Sequence, residues 1–177
     1  RLLADGVARL SIALDGREVL TIDNEPAARV YARWTERQLP WPVGPILRET
    51  TLSPLARQVG TLDEMPYYKL SHPDAVTARE GLRLFTETRL GERLQLMYSS
   101  QEGLLQRSLN AVRIEPEYGM AGNLQPIGAL VVFCAGCRLA LGDSLSDVVG
   151  HFSQRLGEIP FITPFTFGEQ GRLPHGE

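Results

Sequence analysis

The feature that most constrains this chain is the run Ile127-Gly128-Ala129-Leu130-Val131-Val132-Phe133, which has almost no polar residue over the length of a strand. A strand with one wet face alternates polar and apolar residues, whereas a strand covered on both faces is apolar throughout. The run is therefore expected to be the core strand, buried on both faces at the middle of a sheet. A helix is expected to follow through Leu156, capped by Asp143 or Ser144, with Leu145, Val148, Val149 and Phe152 facing inward at three- and four-residue steps. Beyond it, Pro160-Phe161-Ile162 and Phe165-Thr166-Phe167 supply further strand material.

Upstream, Val7 to Leu14 is strand-like, and the β-branched run Val19-Leu20-Thr21-Ile22 ends at Asp23-Asn24. Pro26 then suits a first helical turn, whose N–H has no intrahelical partner in any case. Ala27, Val30, Tyr31 and Trp34 recur at helical spacing with Arg29, Arg33 and Arg37 interleaved, which predicts an amphipathic helix ending before Pro40. Pro40, Pro42, Gly44 and Pro45 punctuate a loop around Trp41 and exclude a central strand there. Leu52 to Val59 is expected to form a short helix, with Ser53 capping ahead of Pro54. From Tyr67 to Tyr98 the pattern turns period-two and predicts three short antiparallel strands, at Tyr67–Lys69, Leu82–Thr86 and Leu94–Tyr98. Ser99 or Ser100 can cap a helix from Gln101 to Val112 that carries Leu104, Leu105 and Leu109, and a loop with Pro116, Gly119, Gly122 and Pro126 follows. This order of elements predicts an α+β fold, a mixed or largely antiparallel sheet with a few packed helices, as one domain over residues 1–177.

Bulk properties narrow the function classes. The 177 residues suffice for one well-buried core. A net charge of −3 with interspersed signs offers no electrostatic footprint for nucleic acid, and no stretch is apolar for long enough to span a bilayer. Neither nucleic acid nor membrane is an expected partner. The two cysteines make no disulfide scaffold and no signal peptide begins at Arg1, so a reducing cytoplasm is expected. The chain opens without Met inside a strand-like stretch, as a piece of a longer protein would. It has no Gly-x-Ser-x-Gly elbow, Walker loop, His-Glu-x-x-His or dinucleotide Gly-x-Gly-x-x-Gly, and the expectation is a protein that is not an enzyme.

Two short motifs at a definite separation carry a family resemblance. Gly128 to Gly136 leads into Arg138-Leu139-Ala140-Leu141-Gly142, and after a helix come Pro160-Phe161-Ile162 and Thr166-Phe167-Gly168-Glu169. This block resembles the carboxy-terminal half of a FIST domain: an apolar strand, Cys-Ala-Gly-Arg, a helix, then Pro-Phe-x-Gly and Thr-Phe/Tyr-Gly-Glu. Val19 to Tyr31 and Asp74 to Met97 are more weakly similar to the family's upstream blocks. Cys137 stands where an Arg is usual, with Arg138 next to it, and Thr163-Pro164 replaces a Gly-aromatic pair. The resemblance implies an intracellular sensory module that binds a small ligand, amino acids among those proposed, and passes occupancy to a signalling output domain or protein. One class of relatives binds haem and senses nitric oxide, and an amino-terminal FIST half normally precedes this one.

The expected ligand-binding residues are Cys134, Gly136, Arg138, Gly142, Gly168 and Glu169. Gly136, Gly142 and Gly168 suggest special backbone conformations, and the N–H groups around Gly136 suggest a nest for a ligand carboxylate. Arg138 supplies a cation, while Glu169 faces either a ligand ammonium or a surface Arg. Three readings stand beside this one. Cys134-x-x-Cys137 after a strand is also a thiol-exchange pattern. His72 or His151 could be an axial ligand if haem were the cofactor; otherwise no cofactor and no metal site is expected, since a zinc site would need further ligands. The Pro-rich loop around Trp41 suits a protein-docking module.

Overall fold

The structure, a computed structural model, describes residues 8–12, 16–37, 42–62, 64–112 and 126–167. They fall into two compact units that divide between Ser99 and Ser100. Antiparallel strands with packed helices in the first unit and parallel strands with helices in the second give the α+β architecture expected.

The first unit holds β1 (Ala8–Ile12), β2 (Glu18–Ile22), β3 (Glu25–Pro26), α1 (Ala27–Trp34), β4 (Gly44–Pro45), α2 (Leu47–Thr50), β5 (Leu55–Leu62), β6 (Met65–Ser71), β7 (Pro73–Val76), β8 (Leu82–Leu84) and β9 (Arg93–Leu96). Its nine strands form one antiparallel sheet in the order β4-β7-β8-β2-β1-β9-β5-β6, with β3 also paired to β2. Asp23 and Asn24 both take positive φ, 50° and 67°, and close a two-residue hairpin between Ile22 and Glu25. Such a turn matches the twist of the flanking strands, and Asp and Asn tolerate the left-handed region better than most residues. Helix α1 then lays Ala27, Val30 and Tyr31 into the core with Val19, Ile22, Leu82 and Leu94, while Arg29 and Arg33 point outward to Glu80 and Glu25, each at 2.9 Å. Tyr31 is fully buried and donates its hydroxyl to the Ser53 carbonyl at 2.6 Å, which ties α1 to the chain just before β5.

Two expectations in this unit are corrected. Leu52 to Val59 is not a helix: α2 ends at Thr50 and β5 begins at Leu55. Pro54 disfavours helical backbone at Ser53, and the pairing of Leu55 with Leu96 buries both side chains in the sheet. Four strands, not three, lie between Met65 and Leu96, because Pro73 opens β7, a position where its missing N–H costs nothing. Gly44–Pro45 is a two-residue strand at the end of the sheet, consistent with the exclusion of a central strand; Pro40 and Trp41 lie outside the described residues.

The second unit holds α3 (Gln101–Ala111), β10 (Ala129–Leu130), β11 (Phe133–Cys134), α4 (Ala135–Leu141), a 3-10 turn over Gly142–Ser144, α5 (Leu145–Leu156), β12 (Phe161–Ile162) and β13 (Phe165–Thr166). Ser100 caps α3 as expected, its Oγ accepting from the Gly103 N–H at 2.9 Å. Ser144 precedes α5 without a side-chain cap, and Ser146 Oγ donates instead to the Asp143 carbonyl. Pro116, Gly119 and Gly122 lie outside the described residues.

The apolar run behaves differently from its expectation. It pairs in parallel with the chain after α5, Ala129 opposite Phe161 and Phe133 opposite Phe165, and the N–H groups of Ala129, Val131 and Phe133 donate to Pro160, Ile162 and Pro164. From Ala129 on, the unit is thus strand, two helices and parallel strand, the connection that parallel pairing requires. The run is not buried on both faces, however: Ile127 is 95% exposed, Leu130 64% and Val132 56%. Unbroken apolarity has no period, so it does not report which side is covered. Phe133 alone of the run's large side chains is fully in the core, with Leu141, Val148, Phe152 and Leu156. Val149, expected inward, is 39% exposed, because the buried line of α5 runs through Val148, Phe152 and Leu156. Among the described residues no helix is long and apolar enough to cross a membrane.

Candidate functional site

The turn from β11 into α4 brings three of the six expected ligand-binding residues into one seven-residue helix and its approach. Cys134 ends β11 in extended backbone opposite Thr166 and occupies the cap position of α4 without a side-chain cap bond. Cys137 packs against the core of the unit, and both cysteines are partly buried thiols rather than a disulfide. Gly136 lies within α4, so its backbone is helical and open to any residue; the expectation of a special conformation there is corrected. Gly142 meets that expectation: φ of +52° ends α4, and its N–H donates to the Arg138 carbonyl. Gly168 and Glu169 lie outside the described residues.

Arg138 has the most informative geometry. Its guanidinium carbon sits 4.8 Å from the centroid of the Phe165 ring, a cation–π arrangement across the α4–β13 junction. Phe165 meets Phe133 edge-on with centroids 6.1 Å apart, Phe133 meets Phe152 at 6.3 Å, and Phe152 meets Phe161 at 6.4 Å. Arg138 therefore caps a row of four aromatic rings that ends in the core. Its side chain lies at the surface, and among the described residues no carboxylate stands within ion-pair distance of it. Gln101 anchors the other end of α4, donating to the Ala140 carbonyl at 2.9 Å.

The two described histidines sit apart from this turn in their bonding. His72 Nε2 lies 3.3 Å from the Thr51 carbonyl, and burial pulls its pKa below the usual histidine value against that bond. His151 Nε2 accepts from Arg155 Nε at 3.3 Å. Ligation of haem iron through Nε2 of either imidazole would displace that partner; His175 is outside the described residues. Among the described residues no three His, Cys, Asp or Glu side chains converge to hold a metal ion.

A groove was missed from sequence. An open groove of about 380 Å³ is lined by Leu105 and Leu109 of α3 and by Ser146, Asp147, Gly150, His151 and Gln154 of α5. The signal was present as a strip of polar and small residues at steps of three and four along α5, but a strip like that is also what a solvated face looks like.

A family model described as FIST C domain matches residues 27–172, more than half of the chain. The chain belongs to the FIST C domain family. The match runs through both compact units, and it covers β11, α4 and β13 along with Gly168 and Glu169. The family is one of small-ligand sensing in signalling proteins, which is the coarse role of this FIST C domain. No curated protein and no solved structure matches the chain.

Proposed function

We propose that this FIST C domain senses a small ligand bearing a carboxylate, with amino acids the favoured class, and reports occupancy to an attached or associated output domain in the cytoplasm. It does so by binding and not by catalysis, and without a resident cofactor. The observation that carries this reading is the placement of Arg138: a surface guanidinium held over Phe165, with no carboxylate beside it among the described residues. A planar cation already oriented on a ring loses little freedom on meeting a carboxylate and can donate two parallel bonds to it. The ring row behind Phe165 joins that contact to the packed interior, so a change at Arg138 has a physical route into the core.

Titration calorimetry with a panel of α-amino acids tests the reading. Saturable binding is expected, weakened about tenfold or more in Arg138→Gln, since a charge-assisted bond is worth more than 1.4 kcal/mol. An absence of binding across the panel, or affinity indifferent to Arg138→Gln, would sink it.

A further inference from the structure

Helix α5 carries a glycine that no contact among the described residues requires. Gly150 stands in the middle of the helix, its φ is not in the left-handed region, and a Cβ added there would meet nothing within 4 Å. Glycine in a helix interior is less favourable than alanine by about 1 kcal/mol, so the bare backbone carries a cost that no packing within the described residues explains. Close approach of a bound group to the backbone does explain it, and Gly150 forms part of the α3–α5 groove.

The surroundings of Gly150 specify what such a group looks like. Leu105 and Leu109, one helical turn apart on α3, give the groove an apolar side. Asp147 and His151 flank Gly150 on α5, with Gln154 one turn beyond. Asp147 has no cation within ion-pair distance among the described residues. His151 accepts from Arg155 at Nε2. Asp147 is the one acidic side chain of the groove lining, which holds no Lys or Arg. The volume lies at the low end of the range typical of small-molecule sites, about 300–1,000 Å³.

We propose that the α3–α5 groove is a separate binding site for a small organic ammonium ion with an apolar body. The body lies against Leu105, Leu109 and the bare backbone at Gly150, and the ammonium donates to Asp147. This goes beyond the carboxylate reading of Arg138 and stands or falls without it, because it uses no residue of the β11–α4 turn.

The test uses 2-phenylethylammonium chloride as the probe, followed by amide NMR shifts in the intact protein. Saturable shifts are expected at residues 146–154 and around Leu105 and Leu109. The neutral analogue 2-phenylethanol should bind about tenfold more weakly or worse, as should the probe to Asp147→Asn, because each removes one charged partner. Gly150→Leu should abolish the shifts by filling the groove; leucine favours helix over glycine, so this variant is expected to stay folded. Arg138→Gln should leave the titration unchanged, which separates failure of this site from failure of the other. Unchanged binding to Gly150→Leu, equal binding of the alcohol, or no shifts up to about 10 mM probe, a weak limit near 3 kcal/mol, would overturn the proposal. Shifts of the same residues with an amphipathic peptide but not with the amine would also overturn it, in favour of a protein partner.

Discussion

Removing one oxygen atom, in Tyr31→Phe, should reveal how firmly α1 is locked to the rest of the first unit. The ring stays in its fully buried place, so packing is retained, and the change deletes the 2.6 Å bond to the Ser53 carbonyl. A neutral hydrogen bond contributes about 1 kcal/mol net, and an acceptor stranded away from water costs about 1–3 kcal/mol; together the expected loss is about 2 kcal/mol. With a urea dependence of about 1–3 kcal/mol per M, the unfolding midpoint should fall by about 1 M. Fluorescence of Trp34, which packs against the same core, reports the transition. A second arm comes from titration. Burial, first among the causes, pushes the Tyr31 phenol well above its ordinary 10.0, with the Arg37 charge opposing and Tyr98 adding to the rise. A pKa raised on folding means stability that is whole below pH 10 and is lost as pH climbs above it, because the unfolded phenol ionises first. Wild type should lose this increment and Tyr31→Phe should not, so the gap between them should narrow above pH 10. Tyr98 is present in both proteins and cancels. A variant within about 0.5 kcal/mol of wild type at neutral pH, or a gap that ignores alkaline pH, would refute the reasoning.

Other consequences are as direct. Phe152→Ala removes the ring that links Phe133 to Phe161 at the centre of the second unit and should cost about 3–5 kcal/mol, read as lost amide-exchange protection in α4 and α5. Gly150→Ala should raise stability by about 0.5–1 kcal/mol by chemical denaturation, since nothing stands where the methyl would go. Ser100→Ala should cost about 1 kcal/mol through loss of the cap to Gly103. Burial lowers the His72 pKa, so its contribution is whole above 6.5 and is lost as pH falls below that; His72→Gln should flatten the acid limb of the stability–pH profile.

What could be foreseen from residues alone followed locality. Strand β2, helix α1, the Ser100 cap and the extent of α5 depend on periodicities and caps within a few residues, and those were legible. Leu52 to Val59 has helical spacing but forms a strand because Leu55 finds Leu96, a partner some forty residues away whose pull no local pattern records. The 127–133 run was rightly seen as strand material and wrongly placed at a double-covered centre, since apolarity alone does not say which faces are covered. At the site, a strand giving way to a turn at Cys134 and a special backbone at Gly142 could be read from the motif, whereas helix α4, which Gly142 ends, could not. The seat of Arg138 on Phe165 could not, because it depends on the parallel pairing that returns β13 beside β11. Gly150 was visible as a letter, but its meaning needed the empty space around it.

The most direct measurement of the central claim is the thermal midpoint of the protein with and without an amino-acid panel, in wild type and Arg138→Gln. At about 100 times its Kd a ligand that binds only the native state adds about 2.7 kcal/mol, which for a chain of this size is a rise of about 5–10 °C. The account predicts such a rise for at least one amino acid in wild type and about half of it or less in Arg138→Gln, whose midpoint without ligand should lie no more than a few degrees lower through loss of the contact with Phe165. No rise with any amino acid, or the same rise in both proteins, would contradict it.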